Sequence, residues 1–367
     1  MRCVNPGLQC CNGLFRAYFS IVECRGEAAG GICTKLVNMK PLTFSILRTL
    51  NDGEFHSGAA IAENHGISRS SVSNALRGLD EVGLTVYKIH GRGYRLSEPM
   101  QWLERDLILE YLGSQSDAFA LEVLDTVEST NTFLQHKAAA ELNARSDRIQ
   151  VVAAELQTGG RGRHGRKWHS GLGDSLTFSL LWRFPQGASF LSGLSLATGV
   201  VILRALESIG VQGATLKWPN DVIFNFCKLA GVLIELQGDM LGPAVAVIGI
   251  GMNLRLSDKV RANIPQGTTD VFSMAGRMPD RNRMLAALMI ELSRALREFE
   301  QFGFASFKEE WISRHAYEHK AVMLHLPDGS SREGTVKGVA DDGSLLLSAS
   351  SGIHRYSGGE ITLRRAF

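Results

Sequence analysis

The sequence predicts an α+β protein in three parts: an N-terminal winged helix-turn-helix, a central domain on a mixed sheet, and a small C-terminal SH3-like β-barrel. Three observations lead there. Short helical patterns between 42 and 82 end in a glycine-turned hairpin. Strand-like runs then crowd 119–250, several too close together for a helix to lie between them, which excludes a doubly wound sheet. After 318 come short strands separated by Asp-Gly turns.

Composition sets the bounds. A chain of 367 residues is long enough for two or three domains, and 44% hydrophobic with 21% charged residues describes a soluble protein with ample core. A net charge of +2 excludes a globally basic nucleic-acid binder, so any DNA contact needs a local patch. No apolar run approaches the roughly 18 residues of a membrane span. Cys3, Cys10, Cys11, Cys24 and Cys33 cluster at the start and Cys227 stands apart, which gives the body neither a disulfide framework nor a metal cluster. The cytoplasm is the expected compartment. Residues 1–38 lack periodicity, and Arg2, Pro6 and Arg16 interrupt any signal-peptide pattern. They read as a disordered leader or a mis-assigned start, because Met39-Lys40-Pro41-Leu42 opens the patterned chain.

The 39–98 segment is the predicted DNA-binding domain. Leu42, Phe44, Ile46, Leu47 and Leu50 recur at helical spacing. Ser57 caps a helix over 58–65 that Gly66 stops, and Ser68 caps a third helix reaching about Val82. A hairpin over 84–96 turns at Gly91-Arg92-Gly93. The third helix would present Ser68, Arg69, Ser70, Ser73 and Asn74 to the major groove, with Arg92 on the wing at phosphates. A tri-helical protein-docking module is the alternative; the Ser/Arg/Asn face favours DNA.

In the central domain, 105–315, strands are expected near 119–124, 150–156, 175–184, 214–218, 221–225, 229–236 and 244–250. Helices are expected near 130–140, 193–209, 282–302 and 305–315. The stretch Gly160-Arg161-Gly162-Arg163-His164-Gly165-Arg166-Lys167-Trp168 combines cations with glycines that let backbone approach a ligand, as an anion cradle needs. It satisfies G-x-G-x-x-G literally, but Trp168-His169-Ser170-Gly171 starts no helix, so the dinucleotide reading fails. Walker A fails too, with Arg166 in the lysine position. Around the loop stand Ser129-Thr130-Asn131, which are also natural helix caps, Gln157 at a strand end, and Lys217-Trp218-Pro219-Asn220-Asp221. Lys228 opens an apolar strand, where its charge needs a partner. Gly249-Ile250-Gly251-Met252-Asn253 closes another strand with small residues and an amide. No nucleophile triad or metal-ligand spacing appears, and Cys227 reads as a packed thiol. Cations, backbone donors and positioning fit activation of a carboxylate by a nucleotide.

The last part, 318–367, carries strand-like runs at 320–326, 332–339, 344–349 and 352–356 with turns at 328–329 and 342–343, as a small barrel requires.

Taken together and in order, the glycine-arginine loop, Lys217 to Asp221, Lys228-Leu229-Ala230-Gly231-Val232-Leu233 and Gly249 to Asn253 resemble the bacterial biotin–protein ligases. The winged helix places the resemblance with the bifunctional members that also repress biotin-synthesis genes. The resemblance implies a two-step reaction: biotin and ATP give biotinyl-5′-adenylate, and a lysine of a biotin carboxyl carrier protein then takes the biotin. It places Ser129, Thr130, Asn131, Gln157, Arg161, Gly162, Arg163 and Lys228 at biotin, with Arg163 and Lys228 catalytic. Trp168, Asn220 and Asn253 fall to the nucleotide. A Mg2+ ion would travel with ATP without an all-protein cage, and a ligand-dependent homodimer would meet operator DNA. The chain departs from relatives at His164, at Phe226-Cys227, and in a 257–277 loop that has Phe272 but no tryptophan. A lipoate or octanoate ligase of the same fold, or a DNA-binding biotin sensor without ligase activity, are the alternatives.

Overall fold

Proline at the first helical position needs no N–H there and has φ preset, so Pro41 starts α1 (Pro41–Thr49), which buries Phe44, Ile46 and Leu47. The computed structural model describes residues 39–140, 147–264, 266–326, 329–357 and 362–365. The expectations for 1–38, and Asp328 of the predicted 328–329 turn, lie outside them. Ser57 caps α2 (Gly58–Asn64) and Ser68 caps α3 (Arg69–Ala75), each accepting a backbone N–H three residues on. α3 ends well before Val82, the expected limit. Gly78 turns left-handed at φ 77°, and a separate 3-10 turn, Leu79–Val82, carries the apolar residues that had looked continuous with the helix. β1 (Val86–Ile89) and β2 (Gly93–Leu96) form the wing, and His56 bridges to Tyr94 through two backbone bonds.

α4 (Arg105–Leu112), which the sequence reading missed, leads into the central sheet. Its strands are β3 (Phe119–Val127), β4 (Ile149–Gln157), β5 (Ser175–Phe184), β6 (Thr215–Lys217), β7 (Asp221–Phe224), β8 (Cys227–Gly238) and β9 (Ala244–Asn253). They lie in the order β3-β4-β5-β9-β8-β7-β6, with β3–β4 parallel and the other ladders antiparallel. The parallel pair needs a crossover, supplied by α5 (Thr130–Ala140). α6 (Leu194–Ser208) and α9 (Arg281–Phe302) cover one sheet face, where Leu176, Phe178 and Leu180 join their core. Leu134 and Ala138 of α5 meet Val152, Leu181 and Val247 on the other face. The short helices α7 (Asp258–Ala262) and α8 (Val271–Ala275) follow β9, and α10 (Ala305–Ser313) follows α9.

The C-terminal part comprises β10 (Ala321–His325), β11 (Ser331–Val339), β12 (Leu345–Ala349), β13 (Gly352–Tyr356) and β14 (Thr362–Arg365). These make an antiparallel sheet ordered β13-β12-β11-β10-β14. A closing ladder between β13 and β14 is not among the pairings of the described residues, so they show a sheet where a closed barrel was expected. Its 343 turn docks on the central domain: Trp218 Nε1–H donates to the Gly343 carbonyl at 2.9 Å. Among the described residues no helix is long and apolar enough to cross a membrane.

One buried ion pair ties these pieces together. Arg281 and Glu155 side chains are both 0% exposed, and Arg281 Nη1 lies 2.8 Å from Glu155 Oε2. Nη1 also donates to the Gln101 carbonyl and Nη2 to the Ser175 carbonyl. The other Glu155 oxygen accepts the Leu103 N–H at 2.6 Å. Asn282 adds bonds to Trp102 and Glu104. The linker 101–104 is thereby fastened to the central domain, and the winged helix rests there too. Leu156 and Leu172 belong to the same apolar cluster as Phe44, Leu79, Leu84 and Trp102. The Leu172 N–H donates to the Val82 carbonyl. Arg48 pairs with Asp125 and Lys259 with Asp80 across the same seam.

Asp174 sits in that seam. Its Oδ2 accepts the Ser257 N–H at 3.0 Å, and Gly83, at φ 89°, leaves no room for a Cβ beside it. Burial pushes the Asp174 carboxyl up to about 6, against the opposing pull of the Ser257 bonds and of Arg255 and Arg281.

Two outcomes are expected. Arg281→Ala strands the Glu155 charge and lowers unfolding free energy by about 3–5 kcal/mol in urea titrations. Because the folded pKa of Asp174 exceeds its unfolded value, its contribution is fully present below about pH 4 and is lost as pH rises through about 6. Asp174→Asn is therefore more stable than wild type at pH 8, by up to about 3 kcal/mol, with the gap closing toward pH 4 in the same titrations.

Candidate active site

The floor of the site is a patch of sheet kept almost bare. In register across β5, β9 and β8 lie Thr177–Gly251–Gly231 and Ser179–Gly249–Leu233. A Cβ on Gly251 would stand 2.4 Å from the Trp168 ring, and one on Gly249 would stand 2.2 Å from Asn131 Oδ1. Glycine is thus required at both positions by what must lie on top, and Trp168 and Asn131 pack directly on the backbone.

The N-terminus of α5 delivers Ser129, Thr130 and Asn131, all buried. Gln157, at the end of β4, accepts from the Thr130 N–H at 2.8 Å and from its hydroxyl at 3.1 Å. The Ser179 hydroxyl lies 2.7 Å from Thr130 Oγ1 and 2.5 Å from Asn131 Oδ1, and its single proton serves one of them at a time. Asn131 Nδ2 donates to the Leu233 carbonyl and to Glu235.

The glycine-arginine loop closes this wall. Gly162 N–H donates to the Arg166 carbonyl at 2.7 Å and Trp168 N–H to the Gly160 carbonyl at 2.9 Å, so the segment is a narrow hairpin-like loop. His164 stands at its tip with φ 55°. Arg161 Nη2 reaches Glu235, and Arg163 Nη1 reaches Asn220 Oδ1 at 3.2 Å. Burial, reinforced by Arg166 and opposed by Asp221, draws the Arg163 guanidinium below its usual range.

Lys228 reaches the same space through an irregularity. The β7–β8 register shifts between Val222 and Ile223, pairing Val222 with Ala230 and Ile223 with Lys228, so Leu229 is an extra residue. Lys228 and Gly231, three apart, would otherwise point to opposite faces; the bulge brings the lysine over Gly231. Lys228 Nζ lies 2.6 Å from Asp221 Oδ1, with under a fifth of either side chain exposed. This is the partner its position demanded.

Two adjoining cavities result. Ser129, Thr130, Asn131, Gln157 and Arg161 line one, over the glycine floor. Asn253, Lys217, Ile264, Gln266 and Thr268 line the other. Gly162, Arg163, Trp168, Asn220 and Lys228 line both and so form the partition. Asn253 is buried; its Nδ2 donates to the Thr269 and Lys228 carbonyls, and its Oδ1 has no protein partner. Phe272 lies over Arg255, 4.9 Å from guanidinium to ring centroid, and does not line the second cavity.

All the residues proposed from sequence for the two small ligands therefore converge. Ser179, Glu235 and Asp221 were not assigned. Ser179 had a signal, since Ser175, Thr177 and Ser179 alternate with Leu176, Phe178 and Leu180 along β5. Glu235 had only its place in an apolar strand. Asp221 became a partner through the bulge, which sequence does not reveal.

The helix-turn-helix residues sit as a separate set. Ser68, Arg69, Ser70 and Asn74 are exposed along α3, and Ser73 is half-buried. The Ser68 hydroxyl is occupied in capping the helix, and Asn74 Oδ1 accepts from Arg77. Arg92, on the wing, stacks on Phe55 with its guanidinium 4.4 Å from the ring centroid.

Comparison with known proteins agrees with this layout. The Biotin/lipoate A/B protein ligase family model matches residues 123–253, an HTH domain model 43–95, and the Biotin protein ligase C terminal domain model 320–364. The chain is 37% identical over 326 residues to the bifunctional ligase/repressor BirA of Salmonella typhimurium, spanning 89% of this chain and 98% of that one. It belongs to the bifunctional biotin–protein ligase/repressor family. The BirA of Escherichia coli is 36% identical over 90% of this chain and 98% of its own. Among solved structures, the Aquifex aeolicus biotin protein ligase in complex with biotin and ATP superposes with a TM-score of 0.57 at 31% identity, covering 67% of this chain and 99% of that one.

Proposed function

We propose that this chain is an ATP-dependent biotin–protein ligase that also represses biotin-synthesis genes by binding operator DNA. One observation carries the ligase reading: Arg163 and Lys228 line both cavities at once. A carboxylate held in the first cavity and a phosphate held in the second meet at two cations, where their mutual repulsion is cancelled.

In the first step the biotin carboxylate attacks the α-phosphate of ATP, giving biotinyl-5′-adenylate and pyrophosphate. In the second, the ε-amine of a lysine on the biotin carboxyl carrier protein attacks the mixed anhydride, and AMP leaves. Ser129, Thr130, Asn131 and Gln157 bind the biotin head group, and Arg161 and Gly162 close the loop over it. Arg163 and Lys228 hold the carboxylate–phosphate junction, while Trp168, Asn220 and Asn253 serve the nucleotide. Asn253 lines the second cavity and is fixed there by its bonds to the Thr269 and Lys228 carbonyls. Asp221 keeps Lys228 over the glycine floor until a ligand anion competes for the ammonium.

Asp221 is the carboxylate among the described residues of the nucleotide cavity, and Lys228 engages it. Those residues hold no group of three or more His, Cys, Asp or Glu able to bind a metal. This donor set suits a Mg2+ ion carried on the ATP phosphates and water, which Asp221 could share; such an ion would supply charge neutralisation.

The domain division 39–98, 105–315 and 318–367, with the last closing as an SH3-like barrel, belongs to the same reading. So do residence in the cytoplasm and a ligand-dependent homodimer on a palindromic operator. On α3, Arg69, Ser70, Ser73 and Asn74 face the groove beyond the Ser68 cap, and Arg92 reaches phosphate.

ATP–pyrophosphate exchange with biotin, set against lipoate, tests the activity. Lys228→Ala is expected to slow biotin-dependent exchange about 10- to 150-fold, the value of one charge-assisted contact. The Lys228→Ala/Asp221→Asn pair, which leaves no stranded carboxylate, should remain as slow. Exchange with lipoate but not biotin would assign the fold to the other substrate. Gel shifts on biotin-gene promoter DNA, with saturating biotin and ATP, test repression. Arg69→Ala should weaken the shift and flatten its salt dependence, and absence of any shift by wild type removes the repressor reading.

A further inference from the structure

Arg161 and Arg163 leave one loop in different directions. Arg163 goes to Asn220 at the partition between the cavities. Arg161 goes to β8, where Nη2 donates to Glu235 Oε2 at 2.7 Å. The same carboxylate oxygen accepts from Asn131 Nδ2 at 2.8 Å. Asn131 is fixed on all sides: Leu233 takes its second donor contact, Ser179 lies at Oδ1, and Gly249 leaves no space behind it. A single oxygen thus joins the immobile floor of the pocket to the loop above it. Otherwise the loop is held by its own backbone bonds, by Arg163 at its middle and by Trp168 at its far end, which packs on Gly251.

The pair sits at the mouth, not in the core, with side-chain exposures of 42% for Arg161 and 22% for Glu235. Water and salt reach it, so it can open and reclose without unfolding anything. We infer that Arg161–Glu235 is a clasp holding the 160–168 loop over the pocket, with Glu235 a positioning residue that governs how long the acyl-adenylate stays bound. The two loop arginines thereby divide their work: Arg163 neutralises charge at the reacting groups, and Arg161 fastens the loop. This rests on the ligase reading above.

Glutamine at 235 separates the two duties of Glu235, because its amide oxygen still accepts from Asn131 while the charge is gone; alanine removes both. The experiment loads the full chain with biotin and labelled ATP, isolates the complex, and follows adenylate release on dilution at low and high salt. Glu235→Gln should release roughly two- to fivefold faster than wild type, the scale of a partly exposed ion pair. Its biotin dissociation constant should stay near wild type, whereas Glu235→Ala weakens biotin as well. Wild-type release should accelerate with salt, and Glu235→Gln should respond far less. Arg161→Ala breaks the clasp from its more exposed side, and Arg161→Ala/Glu235→Gln should release no faster than either single variant. Release from a well-formed Glu235→Gln complex at the wild-type rate, or additive effects in the double variant, overturns the clasp. A wild type that supports no biotin-dependent pyrophosphate exchange fails earlier, at the ligase reading, and removes the clasp with it.

Discussion

A guanidinium withdrawn completely from water has to be met by charge and carbonyls, and the way Arg281 is met organises much of this molecule. Glu155 comes from the end of β4 and the Ser175 carbonyl from the start of β5. These strands are the two stems of the glycine-arginine loop, so one side chain at the start of α9 fixes the spacing from which that loop departs. Gln101 and Leu103 of the linker are held by the same pair. Breaking such a pair is costly because either partner alone is a buried charge. The glycine-arginine loop and the linker that carries the helix-turn-helix thus share one anchor.

At the site, the chemistry depends on removing side chains as much as on supplying them. Gly249, Gly251 and Gly231 bare the sheet so that Asn131 and Trp168 lie on backbone, and the Leu229 bulge turns Lys228 onto the same face. Hydrogen bonds within the protein hold these polar groups in place before a ligand arrives, which lowers the cost of ordering them on binding. Arg163 and Lys228 stand where the cavities join, so the same two cations face both spaces at once.

Much of this was legible in the residues. The strands of the central sheet and the four helices expected beside it follow from the residues, because each buries apolar side chains at its own spacing. The reach of the third helix was not, since Leu79 continues the helical spacing while Gly78 breaks the backbone beneath it. α4 does carry a helical pattern that the sequence reading missed, with Ile108 and Leu112 buried four residues apart; the short helices after β9 span five residues each, too few to show a period. In the site, Gly160 to Trp168, Lys228 and Asn253 announce themselves by residue types that cost energy unless used. Glu235 and Asp221 do not, because their importance comes from register, and a one-residue bulge changes register without leaving a mark in composition.

The seam under the winged helix bears on how this chain is assembled. Leu156 adjoins Gln157 of the ligand wall, Leu172 follows the glycine-arginine loop, and both complete the apolar cluster of the helix-turn-helix. The helix-turn-helix therefore packs its core onto apolar side chains that belong to the central domain. A chain shortened to its central and C-terminal parts would lose the cover that Leu156 and Leu172 take from the helix-turn-helix, beside Gln157 and the glycine-arginine loop.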